Sequence, residues 1–595
     1  MRDDDHQSLG ATPHERGTVF RVWAPHAEAV SVVGSFNDWD ADAAPMKRSD
    51  DGIWQADVEA AKPGDEYRFL LQTSKGELSR IDPRAREVTH SVGNGIIADP
   101  AHDWHGDAFT MPAWNELVIY EMHIGTFHRA EADTTGTFAD ATLKLDHLRR
   151  LGVNVIQIMP AMAFAGDVSW GYNPAHIFAI ESAYGGPDGF KDFVEAAHRA
   201  GFAVVLDVVY NHFGPSDLDL WQFDGWSEND KGGIYFYNDW RSETPWGDTR
   251  PDYGRPEVRD FIEDNALYWL EEYHLDGLRF DMTLYIRNVR GDEGDPGDSL
   301  EDGWSLLRRI NDEVRERFPD RLTIAEDLRN RASITTADGA GFGAQWCAEF
   351  VHPVREVLLK DRDEDRHMAT LAHALQHHYN GDPYQRVIYT ESHDEVANGQ
   401  ARIPHEIGGD DPHDWAAQKR STLGAALLLT APGIPMLFQG QEFLEGGWFR
   451  DTVPLDWDQA EDFHGITRLY RDMIRLRLNR GGVSRGLCGR GLSIHRIDEG
   501  QKLIACHRWD QGGPGDDVVV VLNAHHQPRE AYRLGFPKGG LWKLRLNTDW
   551  QGYSDAFGDF ASGDVEAVAG ECDGMRFAAE VAIGPYTALV FSQEP

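Results

Sequence analysis

Three carboxylic acids, Asp281, Glu326 and Asp394, each stand at the end of a separate apolar run rich in β-forming residues. In a parallel barrel the carboxyl ends of the strands meet at one rim, so these side chains are expected to face a single polar site. Cleavage of an acetal, such as a glycosidic bond, needs one group that attacks carbon and another that moves a proton. The pattern therefore predicts acetal chemistry.

Neighbouring residues fit these two tasks. Arg279 precedes Asp281 by two positions and faces the same side of a strand, so it can pair with Asp281 and keep it ionised for attack. Glu326 follows the apolar run 322–325, which can raise its pKa and keep a proton available. A structural ion pair and an exposed strand end explain these residues singly. Their joint position at strand ends favours a site.

Three further side chains could contact a sugar. His212 and His393 stand beside two of the predicted strand ends, and imidazole can donate hydrogen bonds to sugar hydroxyls. Tyr172 offers a flat face for a pyranose ring. Taken alone, each is explained better by ordinary packing.

The elements that must position these residues alternate between strand and helix across residues 106–479, which predicts a parallel sheet. Helices are expected near 143–151, 187–200, 256–273, 303–317 and 416–429. Strands are expected at 118–122, 153–159, 203–209, 277–282, 322–326, 345–350, 386–390 and 434–438. The sixth strand has the weakest pattern, and with it eight strands close a (β/α)8 TIM barrel.

The sequences before and after the predicted barrel have the pattern of short strands separated by turns. In residues 1–105 the runs 19–23, 30–33, 54–58 and 67–70 alternate, and in residues 480–595 the runs 492–496, 503–506, 517–522 and 588–591 do so. We therefore predict an α/β fold of three domains, a TIM barrel flanked by an N-terminal and a C-terminal β-sandwich.

Composition limits the partners. The 595 residues include 99 acidic and 57 basic ones, for a formal charge of −42. Nucleic acid and anionic membranes attract basic surfaces, so neither is expected, whereas a neutral substrate fits. The acidic start, residues 1–6, does not resemble a signal peptide, and the four cysteines form no CxxC pair. We expect a soluble, cytoplasmic protein.

Four segments resemble, in order and spacing, the four signature regions of the α-amylase superfamily (glycoside hydrolase family 13), whose members are retaining α-glucan enzymes. The segments are 207–212 (DVVYNH), 277–281 (GLRFD), 325–327 (AED) and 392–394 (SHD). Segments 20–25 (FRVWAP) and 33–39 (VGSFNDW) are similar to the glycogen-binding-like module of branching and debranching members. The C-terminal part is similar to the family's usual tail domain.

The resemblance implies a role for each matching residue. Asp281 matches the nucleophile, Glu326 the general acid/base, and Asp394 the third carboxylate that distorts and holds the sugar in the −1 subsite. The positions that line this subsite are matched by Tyr172, Asp207, His212, Arg279 and His393. Asn211 matches a calcium ligand of many α-amylases, but the segment after the third strand is too short for the inserted domain that completes that site. No metal and no cofactor are therefore predicted.

The motifs also bear on the reaction. Segments 391–395 (ESHDE), 436–443 (MLFQGQEF), 454–457 (PLDW) and 546–549 (LNTD) lean toward 1,4-α-glucan branching enzymes, whereas 325–330 (AEDLRN) leans toward maltooligosyltrehalose trehalohydrolase. Segment 120–127 (YEMHIGTF) fits both, and Met282 and Thr283 depart from both. We expect a branching enzyme acting on amylose, maltooligosaccharide or glycogen. The alternatives are a hydrolase (the trehalohydrolase or an α-amylase) and a catalytically dead glucan-binding protein.

Acceptor choice depends on aromatic platforms and on the exclusion of water near the site. Trp240, Trp246, Trp448 and Phe449 lie in predicted loops and could provide such platforms. Ordinary packing explains any one of them equally well.

Overall fold

The computed structural model describes residues 8–131 and 134–595. Its N-terminal part consists of two antiparallel sheets. The first contains Gly10–His14, Gly17–Trp23, Lys47–Arg48 and Ile53–Val58, and the second contains Ala29–Gly34, Glu66–Thr73, Gly76–Arg80, Glu87–Val88 and Gly95–Ile96. The predicted alternation is clearest in Glu66–Thr73, where every second residue is buried, whereas Gly17–Trp23 is buried at six of its seven residues.

The second of these sheets also packs against the barrel. Arg68 forms a 2.8 Å ion pair with Asp219, and Arg80 Nε donates to the carbonyl oxygen of Phe223 at 3.0 Å. Both partners belong to the long loop that follows the third barrel strand. The N-terminal module therefore contacts the same loop that lies beside the predicted site.

The central part is a closed barrel of eight parallel strands, as predicted. The strands are Ile119–Met122, Val155–Ile158, Ala203–Val208, Gly277–Phe280, Leu322–Ala325, Ala344–Trp346, Arg386–Ile388 and Ile434–Phe438. The first strand pairs with the last through Ile119 and Met436, which closes the barrel without a free edge.

The alternation of side chains along each strand explains why charged residues gather at one rim of the barrel. The interior is filled by side chains that share one phase of the pleat: Ile119, Val155, Val205, Leu322, Ile324, Val387 and Met436. On the first, third, fourth and fifth strands, the last residue in that phase, at or just past the carboxyl end, is charged. Glu121, Asp207, Arg279 and Glu326 therefore project from the top of an apolar core into a common region.

Helices surround the barrel. The longer ones are Leu145–Leu151, Gly186–Ala200, Pro256–Glu272, Glu301–Arg317, Ala348–Leu359, Met368–Gln376, Trp415–Thr430 and His464–Arg477; the shorter ones are Ile124–Phe127, Phe138–Thr142, Thr283–Arg287, Ile403–Gly408 and Trp457–Asp462. No helix in the described parts of the chain is long and apolar enough to cross a membrane.

The sixth strand is shorter than predicted. It spans Ala344–Trp346, and the helix Ala348–Leu359 begins within the run 345–350 that we expected to be extended. The prediction of strand for residues 348–350 is therefore wrong. A three-residue strand followed almost at once by an apolar helix gives one continuous apolar run, in which the boundary carries no turn signal.

The C-terminal part is an antiparallel sheet of eight strands that curls over an apolar interior. The strands are Gly491–Asp498, Leu503–Trp509, Val518–Asn523, Arg529–Phe536, Gly540–Asn547, Val565–Cys572, Met575–Ile583 and Thr587–Ser592. Val519 and Val521 face this interior, while Val518 and Val520 join the main core. Burial on both faces explains the unbroken valine run.

We propose the predicted limits of residues 1–105, 106–479 and 480–595 for the three domains. The first seven residues of the first range, including the acidic start, lie outside the described residues.

Candidate active site

One buried guanidinium joins the carboxylates at the barrel rim. Arg279 Nη1 donates to both oxygens of Asp207, at 2.8 and 2.6 Å, and to Asp281 Oδ1 at 3.1 Å. Its Nη2 lies 2.7 Å from Glu326 Oε2. The ring of Trp346, on the sixth strand, covers the guanidinium at 4.3 Å and shields it from water. Asp281 and Glu326 therefore flank a single fixed cation.

Glu326 is placed to hold a proton at neutral pH. Its side chain is buried, and Oε2 accepts a hydrogen bond from the backbone N–H of Met282 at 2.9 Å. Burial raises the pKa of Glu326 to about 8; the cation of Arg279 opposes this rise, and the charges of Asp281 and Asp394 reinforce it. A protonated carboxyl in this position can act as a general acid.

Asp281 is held by two donors, one on the strand that it directly follows and one after the neighbouring strand Ala203–Val208. Besides Arg279, the side-chain amide of Asn211 donates to Asp281 Oδ2 at 2.6 Å and to its backbone oxygen at 3.0 Å. Asn211 Oδ1 in turn contacts Nδ1 of His212. Burial lowers the pKa of His212 to about 4, so its ring is neutral. The side-chain nitrogen of Asn211 is therefore directed at Asp281, and its oxygen at His212.

Asp394 and His393 form the opposite wall. The Asp394 side chain is 47% exposed, and its Oδ2 lies 3.6 Å from His393 Nε2. Glu121 accepts hydrogen bonds from the backbone N–H of His393 at 3.0 Å and from its Nδ1 at 2.9 Å. Burial opposes a charge on His393, but Asp394 and Glu121 outweigh it and raise the pKa to about 9. The imidazolium form therefore prevails at neutral pH.

Tyr172 connects the two walls. Its hydroxyl donates to Asp207 Oδ2 at 2.7 Å, and its ring stacks on His393 with a centroid separation of 4.9 Å. One face of the ring is thus covered, which leaves the other for a ligand. Asp207 is fully buried, and burial raises its pKa to about 7 against the effect of Arg279. Asp207 therefore lies beneath the others and positions Arg279 and Tyr172.

The structure brings all eight predicted residues into one network of contacts: Tyr172, Asp207, His212, Arg279, Asp281, Glu326, His393 and Asp394. Sequence reasoning missed Glu121 and Trp346. Glu121 shares the pleat phase of Ile119, and this phase is the signal that could have identified it. Trp346 offered no comparable signal, because its strand is short.

The predicted aromatic platforms differ in exposure. Trp240, Trp246 and Trp448 are at least partly exposed, and Trp246 stacks on His212 with a centroid separation of 4.7 Å and an angle of 13°. Phe449 is only 4% exposed and packs against Trp170. Phe449 is therefore a packing residue, which is the alternative that the sequence left open for it.

Comparison with known families covers most of the chain. The α-amylase catalytic domain matches residues 122–222 and 215–473. Carbohydrate-binding module 48, the isoamylase N-terminal domain, matches residues 8–85, and the α-amylase C-terminal all-β domain matches residues 494–594.

Individual relatives agree with these matches. A protein of Corynebacterium jeikeium named 1,4-alpha-glucan branching enzyme GlgB is 30% identical over 98% of this chain and 83% of its own length. A protein of Rhodospirillum rubrum with the same name is 33% identical over 92% of this chain and 76% of its own. The crystal structure of a pullulanase from Anoxybacillus, complexed with maltotetraose, shares the fold, with a TM-score of 0.75 at 22% identity over 100% of this chain and 88% of that one. The chain belongs to the α-amylase superfamily, glycoside hydrolase family 13.

Proposed function

We propose that the protein is a 1,4-α-glucan branching enzyme, which cleaves an α-1,4 bond and transfers the released chain to a 6-hydroxyl group. The observation that carries the chemistry is the shared guanidinium of Arg279, which holds an attacking carboxylate, Asp281, beside a protonated one, Glu326. The choice of branching rests on the relatives with that name, which align over nearly the whole chain.

In the first half of the reaction, Asp281 attacks the anomeric carbon while Glu326 gives its proton to the glycosidic oxygen. The bond between carbon and that oxygen breaks, and the reducing-end fragment leaves with a free 4-hydroxyl. The remaining chain is held as a β-glycosyl ester of Asp281. Arg279 holds the attacking carboxylate in position through its 3.1 Å hydrogen bond to Asp281 Oδ1.

In the second half, the 6-hydroxyl of an acceptor glucan attacks the same carbon, and its proton passes to the now ionised Glu326. The ester bond to Asp281 breaks, which restores both carboxyl groups and leaves an α-1,6 branch. Water in place of the 6-hydroxyl would give hydrolysis, so the identity of the acceptor separates the two activities.

The surrounding residues hold the sugar. Asp394 and the imidazolium of His393 face the sugar hydroxyls, and the free face of Tyr172 packs against the ring. His212 is neutral and directs Nδ1–H toward Asn211 Oδ1, so its other ring nitrogen can accept a hydrogen bond from a sugar hydroxyl. Asp207 fixes the orientation of Arg279 and Tyr172. The partner is an uncharged α-glucan, which fits a chain with a formal charge of −42.

We also propose a cytoplasmic location. All four cysteines, Cys347, Cys488, Cys506 and Cys572, are free thiols. Unpaired cysteines are typical of reducing compartments.

The test is a product analysis on amylose with the full-length protein. A branching enzyme lowers iodine staining and creates chains that a debranching enzyme releases, whereas Asp281→Asn, which keeps the shape of the side chain, does neither. Rising reducing ends without new branches would identify an α-amylase instead. Release of free trehalose from a maltooligosyltrehalose would identify the trehalohydrolase. If no product formed from either substrate, the protein would be a catalytically dead glucan-binding protein.

A further inference from the structure

A cluster of potential metal ligands lies far from the proposed active site. His102, Asp192 and Glu195 each offer one ligand atom, and these atoms all lie within 4.8 Å of one another. His102 belongs to the segment 97–113, which contains neither helix nor strand, and the two carboxylates belong to the helix Gly186–Ala200. They are about ninety residues apart in sequence, so no local motif marks them.

The strongest feature of the cluster is an unsatisfied nitrogen. His102 Nε2 is buried and has no hydrogen-bond partner in the described part of the chain. A buried polar atom without a partner costs free energy, and such an atom in a native structure calls for an explanation. A bound cation would supply the missing interaction, since a neutral imidazole nitrogen is a common metal ligand.

The carboxylates leave room for a cation. Glu195 Oε1 accepts hydrogen bonds from His105 Nδ1 at 2.9 Å and from Arg199 Nη1 at 2.7 Å, but no hydrogen bond joins its Oε2 to any described residue. Asp192 is exposed and forms no ion pair with another described residue. Arg199 offsets one of the two negative charges, and a net negative site remains when the histidines are neutral.

A second group of potential metal ligands on this chain is unsuitable for binding a cation. Asp363, His525 and His526 also lie within 4.8 Å of one another. There, both oxygens of Asp363 are already engaged, by Arg366 and Tyr586 on one side and by His526 on the other. The guanidinium occupies the place that a cation would take. The cluster around His102 has no such direct competitor at Nε2.

We propose that His102, Asp192 and Glu195 form a binding site for Zn²⁺. One imidazole with two carboxylates suits Zn²⁺, whereas Mg²⁺ and Ca²⁺ prefer oxygen ligands alone.

The location gives the metal a structural role. The segment 97–113 links the N-terminal module to the barrel. Side chains attach it to the barrel: Asp107 accepts a 2.6 Å hydrogen bond from His198, and Trp104 stacks on His274 at 3.9 Å. His198 also contacts Asp276, which immediately precedes the fourth barrel strand. The site thus lies at the end of the barrel opposite the catalytic rim. A metal there would fasten the linker without touching the substrate.

The experiment uses the full-length protein, stripped with a chelator and titrated with Zn²⁺ by calorimetry. We expect one Zn²⁺ per chain and a rise in Tm of about 2–4 °C at saturation, because a ligand that binds only the folded state stabilises it. Mg²⁺ and Ca²⁺ should give no comparable rise. Branching activity at moderate temperature should not change.

Two variants and one control make the test specific. Asp192→Asn changes an exposed side chain and is safe for folding, and His102→Ala removes the buried nitrogen. Both should weaken Zn²⁺ binding by about tenfold or more, as loss of even an indirect metal partner costs at least that much. The control, His373→Ala, removes an exposed histidine that pairs with Glu349 at 3.1 Å, and it should bind Zn²⁺ like the parent. The proposal is overturned if the parent does not bind Zn²⁺, or if both variants bind it as tightly as the parent.

Discussion

Glu326 is the residue whose chemistry can be tested most directly. Glu326→Gln keeps the side chain's shape but cannot give up a proton to the leaving oxygen, so we expect kcat on amylose to fall by about 10²–10⁴-fold. An α-glucosyl fluoride donor should be far less affected in the step that forms the glycosyl-enzyme, because fluoride departs without protonation. Release of fluoride and loss of iodine staining measure the two cases. Equal activity of variant and parent on amylose would show that the assigned role is wrong.

The pKa of Glu326 also predicts a pH profile. The acid must be protonated before cleavage, so kcat/KM for amylose should fall as pH rises through about 8. The charge of Asp394 helps to raise this pKa, and Asp394→Asn should therefore move the alkaline fall of its residual activity to lower pH. Initial rates of amylose conversion between pH 5 and 9 measure the shift. A fall at the same pH in both proteins would contradict the electrostatic coupling.

Glu121 is a positioning residue, because it acts on the sugar only through His393. Glu121→Gln removes a negative charge beside His393 and should lower its pKa, so we expect a loss of kcat/KM that grows as pH rises from 6 to 8. His393 also interacts electrostatically with Asp394, Arg279 and His123, and all three residues remain in the variant. The rates at these two pH values are the measurement.

A surface pair provides the control for Glu121. Glu349→Gln alters the same kind of carboxylate–histidine contact, with His373, away from the site. Its pH profile should match that of the parent. If Glu121→Gln lost the same fraction of activity at every pH, its role would be structural only.

The residues that could be predicted from the sequence are those that end a strand beside a recognisable motif. Asp281 and Glu326 close apolar runs, and Arg279 shares the pleat phase of Asp281, so their convergence follows from alternation alone. Glu121 was missed because a charged residue inside a buried strand is explained by its partner, His393, which lies in the loop after the seventh strand. A contact between the first strand and that loop exists only once the barrel has closed.

At the level of elements, strand positions were easier to predict than strand ends. The first, third and eighth strands differ from the prediction by one residue or none at each end, because polar residues or glycines interrupt the apolar pattern there. The sixth strand, Ala344–Trp346, was misjudged, yet it carries the ring that covers Arg279. The weakest sequence signal therefore belongs to an element that supports the centre of the site.

The loop after the third barrel strand presents the best-placed aromatic platform. Trp246 stacks on His212 and remains partly exposed, so it can offer its outer face to a glucan chain. We expect Trp246→Ala to raise KM for amylose by about tenfold, since a stacking contact contributes about 0.5–1.5 kcal/mol beyond its buried area. We also expect more reducing ends per branch, because water gains access to the glycosyl-enzyme.

Trp240 is the matched control for this loop. It lies in the same loop and is 46% exposed, but it forms no ring stack with a site residue in the described structure. Trp240→Ala should leave both KM and the ratio of hydrolysis to transfer near the parent values. If the two variants behaved alike, the effect would reflect loop stability and not a platform.

At the scale of the whole molecule, polar contacts that are partly or fully buried join the three domains. Arg68 and Asp219 join the N-terminal module to the loop beside the site, and Lys419 joins the helix Trp415–Thr430 to the C-terminal sheet. The sequence indicated the order of the domains but not these contacts, because each pairs residues far apart in the chain. They fix how the modules sit on the barrel.

The contact at Lys419 predicts how firmly the C-terminal sheet is attached. Lys419 Nζ lies 2.7 Å from Asp549 Oδ1 and donates to Thr587 Oγ1 at 3.1 Å, and both charged side chains are fully buried. Lys419→Met would leave Asp549 charged and without a counter-ion. Breaking a buried pair in this way costs about 3–5 kcal/mol, so Tm should fall by several degrees or a separate, earlier transition of the C-terminal sheet should appear in calorimetry.

The comparison that decides this prediction is with an exposed pair. Arg149 and Asp146 form a 2.9 Å ion pair on the surface of the helix Leu145–Leu151, and Arg149→Met should leave Tm close to the parent value because water already solvates both partners. Calorimetric scans of the two variants under one buffer condition separate the cases. Lys419→Met combined with Asp549→Asn should recover part of the loss, since the uncompensated charge is then removed. A Lys419→Met scan that coincides with that of Arg149→Met would mean that the C-terminal sheet is held by its apolar contacts alone.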